Sequence, residues 1–183
     1  MKRDRWIVLL AFLGGIVLTN LLGKDLLATY GVINEYFLSQ YSYQEIDGNR
    51  LFVHIVMERC QEAFFIFLLG RAVSGKLFSV LVKGITAASF GFLAVVGLVN
   101  LGLRGLVVIF GGLFPQWLCY LAALFLYANW RREEENQSWS ELKTDDIPGR
   151  VAVGMILLLC ILLGIVLESW VNPLILGGIL KLF

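Results

Sequence analysis

Apolar residues fall along this chain in five long runs, covering about 6–23, 51–70, 77–99, 106–129 and 151–172, with polar residues gathered between them. Each run meets or approaches the about 20 residues of helix that cross the hydrocarbon core of a bilayer. The pattern predicts an all-α polytopic protein, 1–183 forming a single integral membrane domain with five transmembrane helices. Five spans put the two termini on opposite sides. Lys2, Arg3, Arg5, Arg71, Lys76, Arg131, Arg132, Lys143 and Arg150 fall on one side, whereas the other collects only Lys24, Arg50, Arg104 and Lys181. Basic loops stay inside, so the N-terminus is expected in the cytoplasm and the C-terminus outside.

Two polar segments lie between spans. Residues 24–50 form an acidic external loop whose LLATYGVINEYFL part suits an amphipathic helix on the outer surface. That loop is too short for a catalytic domain. Residues 130–150 form a cytoplasmic loop with a capping box from Ser138 to Glu141 and a breaker at Pro148. No internal repeat and no Gly-rich phosphate loop is present.

Composition agrees with the pattern: 58% hydrophobic and 16% charged residues, with a mean hydropathy of +0.79, lie far from the soluble balance. A net charge of +1 offers no nucleic-acid footprint, and a single histidine leaves little for a metal site. Cys60, Cys119 and Cys160 all lie inside apolar runs without a CxxC pair, as small core or lipid-facing residues do. The start, MKRDRWIVLLAFLGGIVLTNLLGKD, resembles an export signal without a convincing small-x-small cleavage site, and is expected to remain as the first span.

A charge inside hydrocarbon costs about 2.5–3.5 kcal/mol on the insertion scale, so each one needs a partner or a purpose. In the second span His54, Glu58 and Glu62 recur at every fourth residue on one stripe, with Arg59 three residues before Glu62. Such a stripe suits a divalent ion or a proton relay. The plainer expectation pairs Arg59 with Glu62 along the helix and turns the stripe to the bundle interior or an external vestibule. In the third span, Gly84 with Ala88 and Ala87 with Gly91 form overlapping small-xxx-small pairs that favour close helix packing. Lys83 lies close enough to the cytoplasmic side to snorkel there.

The fourth span contains GGLFPQWLCY, residues 111–120. Pro115 lacks an N–H and its ring clashes with the carbonyl four residues earlier, so the helix is expected to kink or break there. Freed backbone groups must face protein or water, and the Gln116 amide is at hand to meet them. The alternative is a re-entrant segment over 105–113. In the last span, Glu168 lies deep for an outer-leaflet residue and Trp170 suits the interface. Pro173 biases Asn172 away from helix and should stop the span, leaving LILGGILKLF in the outer interface or folded back along the bundle.

Three marks in order resemble the stage II sporulation protein M family: Lys83-Gly84, Leu113-Phe114-Pro115-Gln116, and Glu168-Ser169-Trp170-Val171-Asn172-Pro173. The resemblance covers roughly residues 50–175. It implies a non-enzymatic protein of the bacterial cytoplasmic membrane on the mother-cell side of the sporulation septum. Its implied role is to localise two peptidoglycan-remodelling partners, stage II sporulation proteins D and P, for forespore engulfment, with no cofactor. Lys83, Gly84, Pro115, Gln116, Glu168, Asn172 and Pro173 become its structural and partner-contact candidates. The short external loop and N-terminus depart from the family. Two other classes compete: a small transporter or channel lined by Glu58, Glu62 and the broken fourth helix, and an intramembrane enzyme, for which no Ser-His or diacid motif is visible. Small-xxx-small faces serve packing within and between chains alike, so a homo-oligomer in the lipid remains open.

Overall fold

The computed structural model describes residues 2–22, 47–136 and 147–181. These form helices α1 (Lys2–Leu22), α2 (Gly48–Ala72), α3 (Gly75–Leu101), α4 (Leu103–Asn136), α5 (Ile147–Val166), a π-helical turn (Leu167–Val171) and α6 (Asn172–Leu180). No strand occurs among the described residues. Three segments are long and apolar enough to cross a bilayer, Gly75–Leu101, Leu103–Asn136 and Gly149–Leu180, and Arg5–Leu21 is a shorter apolar helix. The described chain is therefore all-helical, with apolar helices of a membrane-associated protein. The amphipathic helix expected within 24–50 and the capping box at Ser138 to Glu141 lie outside the described residues.

Helix α4 removes two of the readings of Pro115, the break and the re-entrant turn. The helix runs unbroken from Leu103 to Asn136 with Pro115 inside it, and no re-entrant turn occurs over 105–113. Proline's cost is local: one missing N–H and one crowded carbonyl. The turns on either side keep their own hydrogen bonds, and in an apolar setting nothing competes for those groups.

Pro173 requires a second correction, because it does not stop the last span. The chain stays helical through it, and the π-helical turn over Leu167–Val171 directly precedes it. In an α-register the proline ring would press on the carbonyl of Ser169. The wider turn relieves that crowding, as π-turns inside α-helices do by holding one extra residue. Ser169 is buried and its Oγ donates to the Ile165 carbonyl at 2.7 Å.

The described chain divides into two compact units, and it passes between them at Asp47/Gly48, Val82/Lys83, Phe114/Pro115 and Trp170/Val171. In the first unit, which holds α1, Lys83–Phe114 and 171–181, the backbones approach closely. A Cβ on Gly15 would strike the carbonyl of Ala88, and one on Gly91 would strike that of Phe12. Thr19 is fully buried and returns its hydroxyl to the Gly15 carbonyl at 2.7 Å. Gly102, at φ +62°, is the single residue between α3 and α4, a left-handed conformation that glycine adopts without strain. It brings Gly97 and Gly105 backbone to backbone, with Val96, Val108 and Ile109 buried around them. The described part of LILGGILKLF, 174–181, does not fold back on the preceding helix. It continues as α6, with Ile179 seated against Gly111 and Leu176 against Gly112.

The second unit holds Gly48–Val82 and Pro115–Trp170. Phe78, Val82, Tyr127 and Ala128 form its core. Phe78 meets the Tyr127 ring edge-on at 5.4 Å, and Phe67 stacks with the same ring at 5.9 Å. Both Gly70 and Gly75 are required by this packing, since a Cβ would meet the Tyr127 ring at one and the Arg131 carbonyl at the other. Ser74 caps α3 by accepting from the Leu77 N–H at 3.3 Å.

Candidate functional site

Within the second unit, the ionisable residues that the sequence scatters over three helices converge. Arg59 of α2 donates from Nε to Glu168 Oε2 at 2.9 Å and from a second nitrogen to Glu168 Oε1, a side-on pairing of guanidinium and carboxylate. Its remaining nitrogen donates to Glu62 Oε2 at 2.6 Å, the helix-internal pair the sequence predicts. Tyr120 of α4 donates its hydroxyl to Glu168 Oε2 at 2.7 Å, and its ring lies under the guanidinium at 5.1 Å. Glycine at position 164 makes room for that ring, because a Cβ there would collide with it. The Glu168 side chain is 15% exposed and that of Arg59 28%, so this is a largely desolvated pair.

The stripe on α2 behaves differently. His54 Nε2 lies 3.3 Å from Glu58 Oε1, and both side chains are well exposed, as is Glu62. The stripe turns outward from the described residues of its own unit rather than into them. Among the described residues no three His, Cys, Asp or Glu side chains converge on a possible metal position. Cys60, Cys119 and Cys160 are free.

The remaining sequence candidates are dispersed. Lys83 and Gly84 are half-buried in α3, and a Cβ on Gly84 would meet open space, so the close helix approach predicted for that glycine is made by Ala88 and Gly91 instead. Gln116, beside Pro115, is almost fully buried. Asn172 and Pro173 open α6, where the Asn172 side chain lies beside Gly112. Trp170 is part-exposed and stacks on Phe52 of α2 at 4.9 Å.

A second polar cluster escaped the sequence reading, which took Arg71 and Arg131 only as markers of sidedness. Arg131 Nε donates to the Gly70 carbonyl at 2.8 Å, and the Tyr127 hydroxyl donates to that of Phe67 at 3.0 Å. Side chains of α4 thus serve carbonyls at the C-terminal end of α2, where intrahelical donors run out. Glu134 ties this end together, accepting from Arg131 and, at 3.2 Å, from Arg71. Arg71 also lies over the rings of Phe67 and Trp130. Glu135 accepts from the Lys76 N–H at 2.9 Å in the first turn of α3, where carboxylates are favoured. The sequence signal was available in the acidic run directly after Arg131-Arg132, one turn past the apolar stretch.

These arrangements describe helices tied by charge-assisted hydrogen bonds at two separate levels of one unit. No protein-family model, no curated protein and no solved structure matches the chain.

Proposed function

We propose that this chain is a five-span, non-enzymatic membrane scaffold of the stage II sporulation protein M type, with its N-terminus cytoplasmic and its C-terminus outside. It holds peptidoglycan-remodelling enzymes, stage II sporulation proteins D and P, on the mother-cell side of the septum during forespore engulfment. The two further spans of this reading are α1, whose apolar part is Arg5–Leu21, and the 25-residue α2, which is long enough to cross but carries His54, Glu58, Arg59 and Glu62 along its length. The observation that carries the reading is the Arg59–Glu168–Tyr120 tie. Arg59 and Glu168, the two charges of the apolar segments that meet across helices, are engaged in joining them, which suits a rigid frame for other proteins better than a path for ions.

The experiment is affinity purification of the tagged chain from sporulating cells, with quantitative mass spectrometry, beside a deletion strain. Recovery of wall hydrolases and arrest of engulfment are the expected results, with less of partner D or P retained on Glu168→Ala or Pro173→Ala. Purification without any wall hydrolase, together with normal engulfment in the deletion strain, would overturn the reading.

A further inference from the structure

We propose that the His54–Glu58–Glu62 face of α2 docks a transmembrane helix of a different protein, one carrying a lysine or arginine near the middle of the bilayer. The proposal rests on α2 crossing the membrane, as the five-span reading has it. With about 1.5 Å of rise per residue counted from Arg71, Glu62 lies about 14 Å and Glu58 about 20 Å into a hydrocarbon core about 30 Å thick. At those depths the two carboxylates are 58% and 57% exposed and His54 is 67% exposed. Their helical neighbours Val53, Met57 and Phe65 are exposed with them, so the described residues of its own unit leave this face of α2 uncovered. Polar side chains at such depth normally face a bundle interior or a polar partner rather than lipid.

Charge decides the occupant. Between Arg50 and Arg71, α2 carries one cation, Arg59, against two carboxylates. That cation is shared between Glu62, at 2.6 Å, and a third carboxylate, Glu168, which holds it side-on, so one cation serves two carboxylates and Glu58 has only His54 beside it. The face therefore has a surplus of negative charge, relieved in part by His54 when it is protonated. A second copy of this chain in the same orientation would set Glu58 and Glu62 opposite their own equivalents at equal depth, where like charges repel. The polar segment 24–50 carries Asp25, Glu35, Glu45 and Asp47 against Lys24 and Arg50, and is itself acidic. A basic side chain on a foreign membrane helix complements the face where both of these fail, and interhelical polar contacts of this kind guide association in lipid.

The test reconstitutes the full chain, donor-labelled, in phosphatidylcholine vesicles with an acceptor-labelled leucine-rich 24-residue transmembrane peptide. The peptide carries either one central lysine or leucine throughout, and energy transfer reads association. The lysine peptide should associate about tenfold more tightly than the leucine peptide, and the Glu58→Gln, Glu62→Gln double variant should abolish the difference. Equal association of the two peptides, or a preference that survives the double variant, overturns the proposal. Sided labelling of Gln44→Cys and Ala72→Cys, with the three native cysteines replaced by alanine, separates the two levels of failure. Labelling from opposite sides with no lysine preference removes the docking face alone, whereas labelling from one side removes the crossing of α2 and the docking face with it.

Discussion

Arg59 and Glu168 stand 109 residues apart in the chain and meet side-on, the Arg59 Nε donating to Glu168 Oε2 at 2.9 Å. The geometry gives two parallel hydrogen bonds between opposite charges, and the Tyr120 hydroxyl occupies a further lone pair of the same carboxylate. The pair thus joins α2 to the π-helical turn, with α4 as the third party. A desolvated pair of this kind adds little over an apolar contact of the same shape, but breaking it strands a charge.

Arg59→Leu should accordingly lower stability by about 3–5 kcal/mol. Adding Glu168→Leu to that variant should recover most of the loss, because no charge is then left without its partner. Thermal unfolding in detergent, read by circular dichroism on the wild type, both single variants and the double variant, forms the cycle. A double variant whose loss equals the sum of the two single losses would mean the two residues act independently.

Two glycines of the same helix make a matched comparison. Gly75 faces the Arg131 carbonyl with no room for a methyl group, whereas Gly84 faces open space. Gly75→Ala should destabilise by about 1–3 kcal/mol, the usual consequence of overpacking. Gly84→Ala should stabilise by about 0.5–1 kcal/mol through helix propensity alone. Midpoints moving in opposite directions are the expected pattern, and a loss at Gly84 matching that at Gly75 would contradict the packing described for α3.

Pro115 sits inside a continuous helix, so its replacement should restore a hydrogen bond rather than destroy a turn. Pro115→Ala is expected to raise stability, by up to about 3 kcal/mol. A lowered unfolding midpoint would show that the helix depends on the proline.

Much of the fold was legible because a backbone in lipid has few ways to satisfy its polar groups. Runs of apolar residues therefore announced α1, α3, α4 and α5 directly. Arg59 and Glu168 were each legible as costly charges, yet their meeting was not. Glu62, one turn away, was a sufficient local partner for Arg59, and nothing in the sequence encodes a contact between residues so far apart. Tyr120 was invisible for a similar reason, since an aromatic residue in an apolar run carries no mark of the carboxylate it will reach. Pro173, and the break expected at Pro115, misled in the same direction. Each was read by its local effect on an isolated helix, whereas α4 carries Pro115 without interruption and the π-helical turn precedes Pro173. Gly111 and Gly112 are the floor on which Ile179 and Leu176 rest, a packing role that nothing in GGLFPQWLCY marks.

The connection between α3 and α4 has a practical corollary. Gly102 alone separates the two helices, and Gly97 and Gly105 touch across the bend it makes. A chain with one residue at a bend has no slack, so an epitope tag or reporter enzyme spliced in at Gly102 must prise those two glycines apart before it can emerge from the membrane. Fusion reporters placed there will register the damage to the hairpin along with the side of the bilayer on which it lies.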